Sequence, residues 1–304
     1  MKKIHLVLLV ILMIGSFVYM SLAADRYVAR QILFAKLGNG DGQVGYSSRN
    51  PAGMEMMPTD YAVDSKSNIY VCDYVNRRII KYDKKGKYVR NIMNKGVVKP
   101  IYVYVSVDGL DNIHVFNEKG KAIENYDKDG NYKDSISDID KFMVDMRTDY
   151  KGDIFMYENG NNVKLQKKQG AYFRSNVDYI FESPSNIIYR MDTGKDTSKI
   201  VTFKGLADYS DISRSNIPIN SISVKTGARL LGVDMGENSY VVDGMGRVVS
   251  KYNSKGQIVG EATFTKYDGM GISSDKQVKI DFAGNVYKMY YLKTGIKIIK
   301  MEKK

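Results

Sequence analysis

The sequence has 304 residues but only 1 cysteine, 2 histidines, 5 prolines and no tryptophan. A single cysteine excludes an internal disulfide, so noncovalent packing must hold the fold together. Cys72 lies in the apolar stretch Ile69-Tyr70-Val71-Cys72, where a small buried thiol is expected. A catalytic thiol needs an imidazole neighbour, and only His5 and His114 are present, His5 within an N-terminal apolar run. The same scarcity excludes a zinc centre built from several histidines of one chain. No GxSxG or P-loop motif occurs, and no GxGxxG stands between a strand and a helix, so the usual serine-hydrolase and nucleotide-binding signatures are missing.

Charge is present in excess of one sign. There are 46 Lys+Arg against 34 Asp+Glu, a net charge of +12, of which Lys2 and Lys3 supply two. The remaining excess is spread through turns such as Asp83-Lys84-Lys85-Gly86 and forms no dense tract. That distribution describes a solvated, lysine-rich surface, with some attraction for anionic polymers or acidic lipid.

The first 24 residues form a targeting element. Lys2 and Lys3 precede a run from Ile4 to Ala24 that carries no Lys, Arg, Asp or Glu. Ser21-Leu22-Ala23 then offers the small-x-small pattern read by a signal peptidase, with cleavage after Ala23. The run also approaches the ~20 residues of a membrane-spanning helix, so it serves either as a signal peptide or as a retained anchor. Either way the lysine pair stays inside and residues 25–304 are exported, secreted or tethered at the cell envelope.

Beyond residue 24 the chain repeats itself. Asp64 to Asp108, Asn68 to Asn112, Tyr82 to Tyr126 and Gly86 to Gly130 are each 44 residues apart. Further copies start at Asp149, near Ser185-Asn186, at Asp234 and at Asp281. Each pairs an apolar strand ending in an Asp turn with a strand of the Asn-Ile-Tyr-Val type, then a Lys/Gly turn. Such a sheet cannot bury both faces alone, and spacings near 40–45 residues are those of propeller blades. Six copies predict an all-β, six-bladed propeller. The sixth copy lacks a fourth strand, and Gln31-Ile32-Leu33-Phe34-Ala35-Lys36 is expected to supply it and close the ring.

These copies resemble the NHL-repeat family. Pro58 to Ile92 carries the likeness best, with Tyr61-Ala62-Val63-Asp64, Asn68-Ile69-Tyr70-Val71, and Asp73 followed by Asn76-Arg77-Arg78-Ile79. The resemblance spans about residues 30–301 and implies that Asp73 and Arg78 brace a loop. In the fourth copy the strand-ending Asp and the Arg-Ile element are absent, and Gly205 to Leu230 is longer than a family linker.

Recurrence separates structure from chemistry. Asp127-Lys128-Asp129-Gly130-Asn131 places its Gly too early for an EF-hand, and its sister turns lack the carboxylates, so it is a hairpin turn. The recurrent Asp64, Asp108, Asp149, Asp234 and Asp281 are expected to bond their own turns. No catalytic residue and no cofactor is nominated. The loops between second and third strands gather on one face, and there Tyr74, Asn76, Arg77, Lys119, Asn161, Arg247, Tyr290 and Lys293 form the candidate binding surface. Aromatic and basic residues suit an envelope protein, a peptide, or an anionic or glycan polymer; export argues against nucleic acid, and membrane contact is expected only through the N-terminal segment. The leading expectation is a binding platform without catalysis. The competing one is a Ca²⁺-dependent hydrolase or lyase with a carboxylate-lined central channel, as on related propellers.

Overall fold

A computed structural model describes residues 25–48, 55–93, 96, 99–139, 143, 145–158, 161–168, 170–177, 181–193, 197–204, 218–264 and 277–303. The targeting element expected at residues 1–24 lies outside the described residues. Among the described residues no helix is long and apolar enough to cross a membrane.

The chain forms a six-bladed β-propeller of four-stranded antiparallel meanders. Its N-terminal strand is β1 (Asp25–Lys36). Blade 1 is β2 (Tyr61–Val63), β3 (Ile69–Asp73), β4 (Arg78–Tyr82) and β5 (Tyr88–Ile92). Blade 2 is β6 (Tyr102–Val107), β7 (Ile113–Asn117), β8 (Ala122–Tyr126) and β9 (Tyr132–Ile136). Blade 3 is β10 (Asp145–Thr148), β11 (Ile154–Glu158), β12 (Asn161–Lys168) and β13 (Ala171–Val177). Blade 4 is β14 (Phe181–Glu182), β15 (Ile187–Thr193), β16 (Thr197–Lys204) and β17 (Asn220–Lys225). Blade 5 is β18 (Arg229–Val233), β19 (Ser239–Val242), β20 (Val248–Tyr252) and β21 (Ile258–Thr263). In blade 6, β22 (Val278–Ile280), β23 (Val286–Leu292) and β24 (Gly295–Lys303) are followed by β1.

β1 pairs antiparallel with β24, from Tyr27↔Lys303 to Lys36↔Gly295. Its first residues also run parallel to β21, at Asp25↔Gly260 and Arg26↔Glu261, which joins blades 5 and 6 into one eight-stranded sheet.

One turn design recurs between the first two strands of the blades. The residue three after the turn's first position takes a left-handed backbone in every blade: Ser67, Asp111, Gly152, Asn186, Glu237 and Gly284. In the Asp turns, Oδ1 accepts the amides two and four residues on, as Asp64 does from Lys66 and Asn68 at 3.0 and 2.8 Å. In blades 1, 5 and 6 the Oδ2 atoms take an Asn side chain and a Tyr hydroxyl: Asn68 and Tyr70, Asn238 and Tyr240, Asn285 and Tyr287. This explains why an Asp, an Asn and a Tyr recur at fixed spacing. Each buried polar atom satisfies another, and the tyrosine rings fill the interface to the next blade.

In blade 2 a histidine stands at the Tyr position: His114 Nε2 lies 3.2 Å from Asp108 Oδ2 and Nδ1 2.8 Å from Asn125 Oδ1. Both ring nitrogens are engaged in a buried site, so His114 replaces the tyrosine structurally. His114→Tyr should therefore fold with little change in melting temperature. His114→Ala strips Asp108 of a partner and should cost roughly 1–3 kcal/mol, measured by denaturant unfolding.

Apolar side chains pack between neighbouring blades. Tyr61, Ile80, Tyr82, Tyr287 and Ile298 join blades 6 and 1, and Tyr70, Ile79, Tyr102 and Val115 join blades 1 and 2. Cys72 lies in the latter cluster, fully buried, as its apolar neighbours indicate. The junction of blades 3 and 4 is the exception. Its described cluster comprises Phe155, Ile188, Val201 and Phe203, with Val177 against it. Buried charge occupies the rest of that joint.

Candidate ligand site at the channel mouth

The inner strands β2, β6, β10, β14, β18 and β22 surround a cavity of about 80 Å³ on the propeller axis. Each inner strand starts on the face that carries the turns between second and third strands, so residues at strand starts ring one mouth. At the other end Tyr150 of blade 3 meets Phe282 of blade 6 edge to face, with ring centroids 5.9 Å apart. Blades 3 and 6 are diametrically opposed, so this pair floors the channel.

The mouth is charged. Lys279 Nζ lies 2.9 Å from Asp60 Oδ1, and Asp60 Oδ2 accepts the Val105 amide at 3.2 Å. Arg147 grips Asp145 Oδ2 through Nε and Nη2 at 2.9 and 2.7 Å, and its Nη1 donates to the Leu230 carbonyl at 2.6 Å. Arg229 Nη1 approaches the same carboxylate at 3.8 Å. Blades 3 and 5 thus touch through Arg147 and Leu230.

The two carboxylates respond differently. Burial raises the Asp60 pKa, only partly offset by Lys279. Burial works against ionisation of Asp145 too, yet Arg147, Lys279 and Arg229 outweigh it and hold the carboxyl far below its usual range. Among the described residues, Arg147, Arg229 and Lys279 face Asp60 and Asp145 there. Each carboxylate is held by a cation, and Arg147, Arg229 and Lys279 are the N–H donors from which a carboxylate-bearing ligand at the opening would accept.

The sequence-derived surface surrounds this mouth. Tyr74, Asn76 and Arg77 lie in the β3–β4 turn, Lys119 in β7–β8, Arg247 in β19–β20 and Lys293 in β23–β24; Asn161 opens β12, and Tyr290 sits near the end of β23. Arg77, Lys119, Asn161, Arg247 and Lys293 are exposed. Asn76 is committed to the fold, its amide donating to Gly38 O at 2.9 Å and Asp73 Oδ2 at 2.8 Å. The Tyr290 ring lies between two lysines, with Lys288 and Lys297 Nζ 5.3 and 5.7 Å from its centre. Lys288 is buried against Phe264 and donates to the Gly246 carbonyl. Burial pushes its ammonium pKa down to about 8, with Asp243 opposing.

Asp73 and Arg78 act as the family resemblance implied. Their ion pair is 3.0 Å and nearly solvent-free, and Arg78 Nη2 also donates to Gly40 O and Gln43 O. The linker between β1 and blade 1 is thereby fixed beside the mouth.

One further cluster lies away from the mouth. In blade 3 the Asn of the turn motif becomes Asp153 and the Tyr becomes Phe155. Asp149, Asp153 and Glu182 bring one carboxylate oxygen each within 4.8 Å of one another. Lys164 Nζ bridges Asp153 and Glu182 at 2.7 and 2.9 Å, and Lys151 holds Glu182 at 3.0 Å. Asp149 Oδ2 accepts no hydrogen bond among the described residues. Burial, then the Asp153 charge, pushes the Asp149 pKa up to about 7, against the pull of Lys164.

Sequence reasoning missed the mouth because its residues lie in inner strands at positions that do not recur. The available signal was charge inside short apolar strands: Asp145 and Arg147 around Met146, Arg229 before Leu230, and Lys279 between Val278 and Ile280.

No family model and no curated protein matches the chain. Among solved structures, luciferin-regenerating enzyme is similar over 90% of this chain and 95% of its own, at 13% identity and a TM-score of 0.50. Virginiamycin B lyase from Staphylococcus aureus is similar over 91% and 99%, at 11% identity and 0.49. Kluyveromyces lactis Hsv2 is similar over 77% and 70%, at 9% identity and 0.48. At 13% identity the likeness to luciferin-regenerating enzyme is one of architecture alone, and it agrees with the strand order: the chain has the fold of a six-bladed β-propeller.

Proposed function

We propose that this protein is an extracytoplasmic binding propeller of the NHL type. In this reading residues 1–24 export or anchor residues 25–304, and β1 is the clasp that closes the ring. The ligand is a peptide or other compact compound carrying a carboxylate, whose charged end enters the channel mouth. The exposed Arg77, Lys119, Arg247 and Lys293 then meet the remainder of the ligand. The observation that carries the reading is the cluster of Arg147, Arg229 and Lys279 with Asp60 and Asp145 at the open end of a floored cavity.

A thermal-shift panel of dicarboxylates, amino acids and short acidic peptides tests it. At least one carboxylate-bearing compound should raise the melting temperature, and Arg229→Gln with Lys279→Gln should remove most of that shift. If only neutral glycans stabilise the protein, with equal effect on the double variant, the mouth is not the site.

A further inference from the structure

From the residues that wall the channel below its charged mouth, we infer that the ligand's carboxylate bears an aliphatic group of about three or four carbons, which fills the cavity beneath. This rests on the proposal that the mouth takes a carboxylate, and it specifies which carboxylates. The same chemistry occurs in a free short-chain or branched-chain acid and in the aliphatic C-terminal residue of a peptide.

Charge and apolar surface are separated along the cavity. Arg147, Arg229 and Lys279 belong to its wall, whereas Asp60 and Asp145 do not. A carboxylate at the rim therefore meets the cations rather than the acids that pair with them. The carboxylate that does line the cavity, Asp281, lies at the far end and is engaged there. Its Oδ1 accepts the Asn285 amide, and its Oδ2 the Asn285 and Tyr287 side chains. Below the cations the inner strands end on β-branched residues. Val63, Val107, Thr148, Val233 and Ile280 close β2, β6, β10, β18 and β22, and all five line the cavity. Their stiff χ1 torsions give this ring a fixed shape. The hydroxyl in the ring is also engaged: Thr148 Oγ1 donates to the Val107 carbonyl at 2.9 Å, and Ser106 Oγ lies 2.8 Å from it.

The inner strands are sheet edges, so backbone groups without a ladder partner turn toward the axis. Several of these are already bonded. The Val105 amide donates to Asp60 at 3.2 Å, the Leu230 carbonyl accepts Arg147 at 2.6 Å, and the Phe282 carbonyl accepts the Met235 amide at 3.0 Å. An alkyl group entering there displaces water without taking partners from those groups. Each methylene it buries strengthens binding about fourfold. Size sets the limit. The cavity holds about 80 Å³, roughly half the volume that accommodates benzene, which leaves room for about three or four carbons. The aliphatic ring recurs from blade to blade and the cations above it do not. The fold thus supplies the apolar cup, and individual side chains supply the charge at its rim.

Ligand-observed NMR titration of the full chain tests this with acetate, propionate, butyrate, 3-methylbutanoate, octanoate and succinate. Affinity should rise about fourfold with each carbon up to 3-methylbutanoate, and octanoate should bind no more tightly than butyrate. N-acetylated Gly-Gly-Val, compared with Gly-Gly-Gly and with its own C-terminal amide, separates the two sources. Binding of the free acids without the valine peptide assigns the ligand to free acids. A valine peptide that exceeds both 3-methylbutanoate and its amide assigns it to peptide C-termini. Ile280→Phe and Val63→Phe each enlarge a side chain of the ring and should level the series from acetate to 3-methylbutanoate. The wild-type series decides the question even if these variants fail to fold. Equal affinity for acetate and 3-methylbutanoate overturns the inference and leaves the mouth reading standing, because only the charged head is then recognised. Affinity that keeps rising to octanoate, or succinate that exceeds butyrate, overturns it as well. If no carboxylate binds, both readings fall.

Discussion

Asp149→Asn is expected to stabilise the protein, and to do so more strongly as pH rises. Folded Asp149 keeps its proton up to about pH 7 instead of the ordinary 3.8, because burial and the neighbouring Asp153 charge disfavour the anion. A carboxyl whose folded pKa is raised contributes stability that is complete below the unfolded value. That contribution is lost as pH climbs through the folded value. Between pH 5 and 8 the wild-type protein should thus lose roughly 2 kcal/mol that the asparagine variant keeps. The asparagine Oδ1 can still accept the Lys151 and Asp153 amides, and its Nδ2 supplies a donor beside Asp153 and Glu182. Thermal melts at the two pH values should show the variant's advantage growing by about 4–8 °C. A constant difference across pH would mean that Asp149 is ionised throughout and that Lys164 neutralises the cluster.

Arg78→Ala should be among the most damaging single substitutions. It leaves Asp73, with no solvent exposure, as an unpaired charge in blade 1 and frees the Gly40 and Gln43 carbonyls. Removing one partner of a buried ion pair costs about 3–5 kcal/mol. Urea unfolding should report that loss. The double variant Asp73→Ala/Arg78→Ala should lose less than the two single losses together, because no lone charge remains. Strict additivity would show that the pair contributes nothing as a pair. The linker held by Arg78 leads from β1 to blade 1, so the damage should extend to the binding of carboxylate probes at the mouth.

The two sites differ in how far the sequence discloses them. Blade architecture was readable because one physical problem is solved six times. A tight turn needs a left-handed residue and a side-chain oxygen to satisfy its amides, a carboxylate in five blades and the Ser183 hydroxyl in blade 4, and the 44-residue register of Asp64, Asn68 and Tyr82 follows from it. Departures from the register were visible too, in Asp153 for Asn and Phe155 for Tyr. Their meaning was not, since Glu182 and Lys164 come from other strands and only the fold brings them together. The mouth was hidden for a related reason. Arg147 reaches Leu230, 83 residues on, and only the fold brings blades 3 and 5 together there. Loop residues such as Asn76 looked like ligand contacts, but a side chain's own hydrogen-bond partners decide whether it is free to bind, and Asn76 is spent on Gly38 and Asp73.

The pairing of β1 also sets an order of events in folding. Tyr27 meets Lys303 only after the strands of all six blades have been made, so β1, which precedes them, is the last to find its partner. Until then β1 and β24 are both unpaired edges, with Val28 and Phe34 on the outward side of β1. Contacts between such distant positions form slowly, and open strands of this kind pair readily with other copies. Ring completion is therefore the step at which this chain is most exposed to aggregation. Circular permutation that moves β1 behind β24 should shorten that interval, because blade 6 would then be one continuous hairpin series.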